Sequence, residues 1–171
     1  MDLTSKNSAP SLSTLQELIL LNLDHADGYA AAADRATEPG IRSRCLEESR
    51  ASARAAHELQ SVVAAAGEVP VTSGSASASE RNWWLELRSL IGGADEDSMI
   101  LADAVHGEES SLRQYRRALD GAHSHDVAEL LANQMRGKEA SLQRLRSLKV
   151  EAESRRPRRT RPLASDPLYG P

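Results

Sequence analysis

Four polar residues of this 171-residue chain fall at positions that the helical pattern turns inward, one in each of four long predicted helices: Asn22, Glu48, Glu108 and Gln134. Carboxylates and amides gathered in the core of a helical bundle can hold metals or a small ligand. They can also form a hydrogen-bonded network that fixes the helix register. Counting along the helices at about 1.5 Å per residue brings Asn22, Glu108 and Gln134 within reach of one another and leaves Glu48 about 9 Å away. The network is the preferred interpretation, and a degenerate metal or small-ligand site is the alternative.

The histidines exclude one specific metal centre. A ferritin-type di-iron site needs Glu-x-x-His on two helices. The residues three positions before the five histidines are Asn22, Arg54, Asp103, Asp120 and Ala122, so the chain contains no such pair. No residue is therefore assigned a catalytic, cofactor-binding or metal-binding role, and the chain is expected not to be an enzyme.

The histidines themselves divide into two groups. His25 lies beside the inward stripe one turn from Asn22, where a hydrogen bond at the core edge is expected. The other four are expected at the surface: His57, His106, His123 and His125.

Three glycines occur near the middles of predicted helices, where each costs about 1 kcal/mol relative to alanine. They are Gly28, Gly107 and Gly137. Close approach of neighbouring helices is the expected reason, and room for a bound ligand is the alternative.

Amino-acid composition and the positions of Pro and Gly residues predict the helices that position these residues. Alanine occurs 26 times and leucine 22 times, whereas valine and isoleucine together occur 11 times and phenylalanine is absent, which indicates an all-α protein. Apolar spacing and helix-ending Pro and Gly residues predict helices over residues 13–37, 41–66, 80–91, 95–120 and 126–151.

The connections predict the topology. Two short turns join the first long helix to the second and the third to the fourth, while the connection that contains residues 80–91 is long enough to cross the bundle. We therefore expect a ferritin-like up-down-down-up four-helix bundle over residues 13–150, with a flexible N-terminus at 1–12 and a disordered Arg/Pro-rich tail at 151–171. Trp83 and Trp84 are expected to hold the crossover helix on the bundle.

Charge and hydropathy limit the partners. The net charge is −4 although the tail is basic, so no nucleic acid is expected for the body, and the tail is left open. The pattern predicts no membrane span and a cytoplasmic location. The first helix is apolar on more than one side, at Leu18 to Leu21 and Leu23, which predicts cover by the crossover helix or by a homo-oligomeric or other protein partner.

Several segments over about residues 13–149 carry a family resemblance. They include Leu15-Gln-Glu-Leu-Ile with Asp27-Gly28-Tyr29, Arg81-Asn-Trp83 with Leu90-Ile-Gly92, Gly107-Glu108 ahead of Tyr115-Arg-Arg-Ala-Leu119, and Gln134. In order and spacing they resemble an uncharacterised bacterial family of ferritin-like four-helix-bundle proteins, classed as a domain of unknown function. The resemblance implies that fold, stress-associated expression and no established enzymatic activity.

Two functional hypotheses follow. The first is a non-enzymatic bundle that acts through association with itself or a partner. The second is a metal or small-ligand protein that uses Glu108 with Asn22, Gln134 and Glu48. If the network interpretation holds, Glu108→Leu should be tolerated better than Asn22→Leu or Gln134→Leu, because a buried carboxylate costs more to desolvate than an amide.

Overall fold

The computed structural model describes residues 12–73, 96–121 and 124–155. These residues form four α-helices and no strand: α1 (Leu12–Arg35), α2 (Pro39–Ala65), α3 (Glu96–Leu119) and α4 (His125–Arg155). The predicted all-α four-helix bundle is confirmed. The predicted crossover helix with Trp83 and Trp84, His123, and the tail from residue 156 onward lie outside the described residues.

The ends of α2 follow from local chemistry. Pro39 lies in its first turn, where a backbone N–H would have no intrahelical partner in any case. At the other end Gly67 adopts a φ of +84°, and the amides of Gly67 and Glu68 donate to the carbonyls of Ala64 and Val63 at 3.0 and 3.2 Å. This αL glycine closes the helix by satisfying its last carbonyl groups.

Asp97, in the first turn of α3, ties that helix to the turn between α1 and α2. Its carboxylate accepts hydrogen bonds from the backbone amides of Thr37 at 2.8 Å and Glu38 at 3.0 Å, and from the Thr37 hydroxyl. The amides at the start of α2 would otherwise lack partners. This contact fixes the ends of three helices relative to one another.

The last described turns of α4 reach beyond the predicted helix end near residue 151. Arg155 Nη1 lies 2.8 Å from Glu38 Oε1, beside the start of α2. An ion pair in this position favours continuation of the helix, a contribution that periodicity alone does not detect. Among the described residues no helix has a stretch long and apolar enough to cross a bilayer.

The helices pack unevenly. α1 lies along α2, and α3 along α4, over most of their lengths, whereas α2 and α4 touch at few points. Single contacts fix the alignment: Ser49 donates to the Ala26 carbonyl at 2.8 Å, and Arg35 Nε lies 2.6 Å from Glu96 Oε1. The loose α2–α4 side leaves room for a cavity.

The core divides into two apolar clusters. One contains Leu15, Leu18, Ile19, Leu59, Val63, Tyr115, Ala118 and Leu131. The other contains Tyr29, Ala32, Ala33, Ala36, Ile41, Cys45, Ile100, Leu101, Ala104 and Leu145. In each of the four helices, buried polar side chains fall between the residues that belong to the two clusters.

Candidate functional site

A layer of buried polar side chains lies at the middle of the bundle, and each helix contributes two of them. We call the following set the polar layer: Asn22, His25, Glu48, Ser52, Glu108, Ser111, Lys138 and Ser141. Burying a polar or charged group costs free energy unless it is hydrogen-bonded or paired. The hydrogen-bond and ion-pair partners of these side chains therefore decide whether the polar layer only stabilises the bundle or also has groups available to a ligand.

Glu108 has the most charged surroundings in the layer. One of its carboxylate oxygens, Oε1, accepts a hydrogen bond from the Tyr29 hydroxyl at 2.8 Å and lies 3.7 Å from His25 Nδ1. The other, Oε2, lies 3.7 Å from Lys138 Nζ. Burial by itself raises the pKa of Glu108, but Lys138 and the interactions with His25 and Tyr29 outweigh it and lower that pKa to about 2. Glu108 is therefore a carboxylate at neutral pH.

The two neighbours of Glu108 on α1 are neutral. Burial lowers the pKa of His25 below its usual value despite the nearby carboxylate. Burial and the charge of Glu108 raise the pKa of Tyr29 well above its usual value, so its hydroxyl keeps the proton that it donates. The positive charge facing Glu108 thus comes from Lys138.

Lys138 is 7% exposed, and its ammonium makes no hydrogen bond within the described residues. It lies 3.7 Å from Glu108 Oε2 and 5.7 Å from the centre of the Tyr115 ring, whose π face attracts a cation. Glu108 Oε2 also lacks a hydrogen bond, as do the hydroxyls of Ser111 and Ser141 in the same layer. An ammonium has three N–H donors and a carboxylate oxygen has two lone pairs, so this pair has unused hydrogen-bonding capacity.

A hydrogen-bonded chain crosses the bundle beside this pair and links all four helices. Asn22 Nδ2 donates to the Tyr115 hydroxyl at 2.7 Å, and that hydroxyl donates to Gln134 Oε1 at 2.8 Å. Gln134 Nε2 then donates to Glu58 Oε2 at 2.7 Å and to the Ala55 carbonyl at 3.2 Å. The chain fixes the register of α4 against α2 and α3.

The four residues singled out in the sequence thus have different neighbours. Asn22 and Gln134 are joined through Tyr115, while Glu108 is held by Tyr29, His25 and Lys138. Glu48 is buried on α2, where Arg44 Nη1 lies 3.4 Å from its Oε1.

A cavity of about 370 Å³ opens between α2 and α4, and we call it the central cavity. Its floor consists of buried side chains: Glu48, Ser52, Glu108 and Lys138. Its rim consists of exposed residues: Arg54, Glu58, Asn133, Gly137 and Arg144. Ala51, Ala55 and Gln134 complete the wall. Three of the four predicted inward polar residues, Glu48, Glu108 and Gln134, therefore line one cavity. Asn22 donates to the Tyr115 hydroxyl, which in turn donates to Gln134 in the cavity wall.

Gly137 explains part of this opening. A Cβ atom built on Gly137 would meet nothing within 4 Å. The expected close helix approach at this glycine is therefore wrong, and its position on the cavity rim fits the alternative, room for a ligand.

The donor set does not fit a bound metal. The described residues contain no group of three or more His, Cys, Asp or Glu side chains that could hold a metal ion. The Lys138 ammonium lies next to the Glu108 oxygen that a cation would use, and like charges repel. His57, His106 and His125 are exposed, and none of them lines the cavity.

Sequence reasoning missed Lys138 and the two tyrosine hydroxyls. A signal for Lys138 exists, because it falls on the inward stripe of α4 between Gln134 and Leu142, where the pattern otherwise carries core residues. Lysines are taken as surface residues by default, and that default hides such a position.

The comparisons with known proteins place the chain in a family. The model of a family described as a domain of unknown function, DUF2383, matches residues 11–121, which is more than half of the chain. The chain belongs to this family. The match spans α1 to α3, so the DUF2383 region contains Glu48, Glu58 and Glu108, and α4 adds Lys138 and Gly137 from outside the matched residues.

One solved structure supports the fold. The chain is similar to a conserved hypothetical protein, rv2844, from Mycobacterium tuberculosis, with 12% sequence identity and a TM-score of 0.64. The alignment covers 80% of this chain and 94% of that chain. At this identity the likeness shows a shared fold alone. No curated protein matches the sequence.

Proposed function

We propose that this DUF2383 protein is a non-enzymatic, ferritin-like bundle that binds a small polar molecule in the central cavity. The observation that carries the proposal is the Lys138–Glu108 pair: two opposite charges, almost fully buried, that lie at the floor of a cavity and have hydrogen-bonding capacity left over. A few polar groups converging in a concave site are typical of ligand pockets, whose volumes run from about 300 to 1,000 Å³.

The ferritin-like up-down-down-up order is part of the proposal. Contacts between distant residues support it: Arg35 with Glu96 and Asn22 with Tyr115 imply that α1 and α3 run antiparallel. Likewise, Arg155 with Glu38 and Gln134 with Glu58 imply that α2 and α4 run antiparallel.

A role without catalysis is supported by the chemistry of the described side chains. Burial raises the pKa of the Cys45 thiol to about 11, so this sole cysteine is protonated and a poor nucleophile at neutral pH. Cys45 also belongs to an apolar cluster and not to the cavity lining. Because the donor set does not fit a metal, the small-ligand form of the second hypothesis is favoured over the metal form.

Chemical-shift mapping of the backbone amides tests this function. The protein is titrated with a panel of small polar compounds that carry positive, negative and zero net charge. We expect at least one compound to shift amides on both sides of the cavity, around residues 48–58 of α2 and 133–144 of α4.

Two variants at one position provide the matched control. Gly137→Leu places a large side chain over the cavity and should abolish the shifts, whereas Gly137→Ala leaves most of the cavity open and should retain them. Shifts that are equal in wild type and Gly137→Leu, or absent from both helices, would overturn the proposal.

Association with a second copy or another protein, a cytoplasmic location and a stress-related role remain proposals from the sequence and the family resemblance. On α1, Leu20, Leu21 and Leu23 are only partly buried, which is the observation that favours association.

A further inference from the structure

The chemistry of the central cavity narrows the class of ligand; this step rests on the proposed binding function. At the floor, an ammonium that can only donate faces a carboxylate oxygen that can only accept, 3.7 Å apart. Neither group makes a hydrogen bond in the described part of the chain. A single group that satisfies both must accept from Lys138 Nζ and donate to Glu108 Oε2. A hydroxyl does this, because its oxygen has lone pairs and its proton can be donated.

The charge of the cavity lining favours a ligand without a net charge. Its three carboxylates, Glu48, Glu58 and Glu108, balance its three cations, Arg54, Lys138 and Arg144. At the floor, Lys138 Nζ lies 3.7 Å from Glu108 Oε2, so the charge of Glu108 is compensated within the lining itself. A ligand with a net charge would bring that charge into a partly desolvated site already neutral in sum, where an unpaired charge is costly.

The rim continues this mixture of donors and acceptors. Arg54, Arg144 and the Asn133 Nδ2 group offer donors, and Glu58 Oε1 offers an acceptor, since Glu58 Oε2 and Asn133 Oδ1 already accept from Gln134 and Arg136. A molecule with several hydroxyl groups can pair with each of them without changing its charge. The volume of about 370 Å³ is near the lower limit for ligand pockets, which favours a small molecule.

We infer that the central cavity binds a small, uncharged polyhydroxy compound, of the class of monosaccharides and polyols, with one hydroxyl bridging Lys138 and Glu108. Gly137 leaves the space through which the compound enters from the rim. Asn22, Tyr115 and Gln134 act as positioning residues, since their hydrogen-bonded chain holds α4 at its distance from α2.

Titrations with four probes test the inference, with the amide shifts of α2 and α4 as the readout. Glucose and myo-inositol represent the proposed class, acetate represents an anion and methylammonium a cation. We expect glucose or myo-inositol to shift the cavity amides with a lower Kd than acetate or methylammonium. Because a charge-assisted hydrogen bond is lost, removal of the bridge should raise that Kd about ten- to hundredfold.

The variant that removes the bridge is Glu108→Leu/Lys138→Met, which replaces both charges together and leaves neither one buried without its partner. Its fold is checked by circular dichroism, and Glu153→Gln, at an exposed residue of α4 outside the cavity lining, serves as the control that should leave the Kd unchanged. If the double variant fails to fold, Asn133→Ala is the second variant, and it should raise the Kd for the polyol without changing the fold.

The outcomes separate the two proposals. Tighter binding of acetate or methylammonium in the cavity would overturn the polyhydroxy class and leave the binding function standing. Polyol binding that the bridge-deleting variant or Asn133→Ala leaves unchanged would also overturn the inference. If none of the four probes, nor any compound of the wider panel, shifts the cavity amides, both proposals fail.

Discussion

The stability of the fold requires Lys138 and Glu108 together, because both side chains are buried and each provides the counter-charge of the other. The sequence alone predicts that Glu108→Leu is tolerated better than Asn22→Leu or Gln134→Leu. The surroundings of Glu108 change that expectation, since Glu108→Leu would leave the Lys138 ammonium buried without a counter-charge and the Tyr29 hydroxyl without its acceptor. Removing one partner of a buried pair is far more costly than replacing both by apolar residues.

A double-mutant cycle measures this dependence. We expect Glu108→Leu and Lys138→Met each to lower the free energy of unfolding by about 3–5 kcal/mol. The two substitutions together should bring it back to within about 1–2 kcal/mol of wild type, because no buried charge is left unpaired. Urea denaturation of the four proteins gives the coupling, and losses that simply add would show that the two side chains do not interact.

Acid should destabilise the protein through two groups, His25 and Glu108, because the unfolded chain binds a proton at each of them more readily than the folded chain does. His25 has a lowered pKa in the fold, so the unfolded chain takes up its proton first as the pH falls below 6.5, and stability drops. The pKa of Glu108 is about 2 in the fold against an ordinary value of 4.5, so its stabilising contribution is complete above about pH 4.5 and is lost as the pH falls toward 2.

The melting temperature between pH 7 and pH 3 checks both effects. We expect a continuous decline, with the portion between pH 6.5 and 4.5 reduced in His25→Gln and the portion below pH 4.5 reduced in Glu108→Gln. A wild-type Tm that stays constant from pH 7 to pH 5 would contradict the burial of a neutral His25.

The sequence predicted the burial of polar side chains better than it predicted their hydrogen-bond partners. The inward positions of Asn22, Glu48 and Glu108 follow from helical spacing, because i, i+3 and i+4 positions share a face, and all three are buried. The hydrogen-bond partners of these side chains could not be predicted from the sequence, because they depend on how far each helix is displaced along its axis relative to its neighbours. A shift of one residue moves a side chain by about 1.5 Å along the helix axis, enough to exchange one partner for another.

At the scale of the elements, two glycines play opposite parts. Gly67 adopts a φ of +84° to close α2, a conformation that side chains with a Cβ rarely adopt. Gly137 lies inside α4 with open space around its missing Cβ.

The same substitution should therefore have opposite effects at these two positions. We expect Gly137→Ala to raise the free energy of unfolding by about 1 kcal/mol, from the gain in helix propensity, and Gly67→Ala to lower it by about 1 kcal/mol through backbone strain. Thermal or urea denaturation of both variants is the measurement. Destabilisation by Gly137→Ala would mean that α2 and α4 are closed against each other at this height.

Element positions were predicted better than element ends. Long Pro-free segments with apolar periodicity identify the four helices, because burial of one helix face determines both the pattern and the structure. The end of α4 differs: the helix runs to Arg155, whose guanidinium lies 2.8 Å from Glu38, a residue far away in sequence. Such long-range contacts leave no periodic signal.

On the scale of the whole molecule, the bundle has one loosely packed side. α2 and α4 are joined by the Gln134 contacts at one level and by Arg155 with Glu38 at the far end of α4, and the central cavity opens along the same side. A second groove of about 600 Å³ between the same helices shares Arg144 with the central cavity. The sequence could not predict this opening, because cavity shape depends on helix separation and not on which residues face inward.

Association is tested on α1. Leu20 on α1 is partly buried and belongs to neither apolar cluster, so a second copy that covers α1 would contact it. We expect wild type to sediment as a dimer and Leu20→Glu as a monomer, because a charge cannot be buried unpaired in such an interface. Leu46→Glu, at an exposed leucine of α2, is the matched control and should sediment like wild type. A wild-type monomer at high concentration would contradict association with a second copy.

The proposed binding function requires that the cavity between α2 and α4 give a small molecule access to the buried Lys138–Glu108 pair. A crystal structure of the protein soaked in glucose tests it most directly. We expect electron density for the sugar between the two helices, with one hydroxyl within hydrogen-bond distance of both Lys138 Nζ and Glu108 Oε2. Closed packing of α2 against α4, with the Lys138 ammonium bonded directly to the Glu108 carboxylate and no sugar in the cavity, would contradict it.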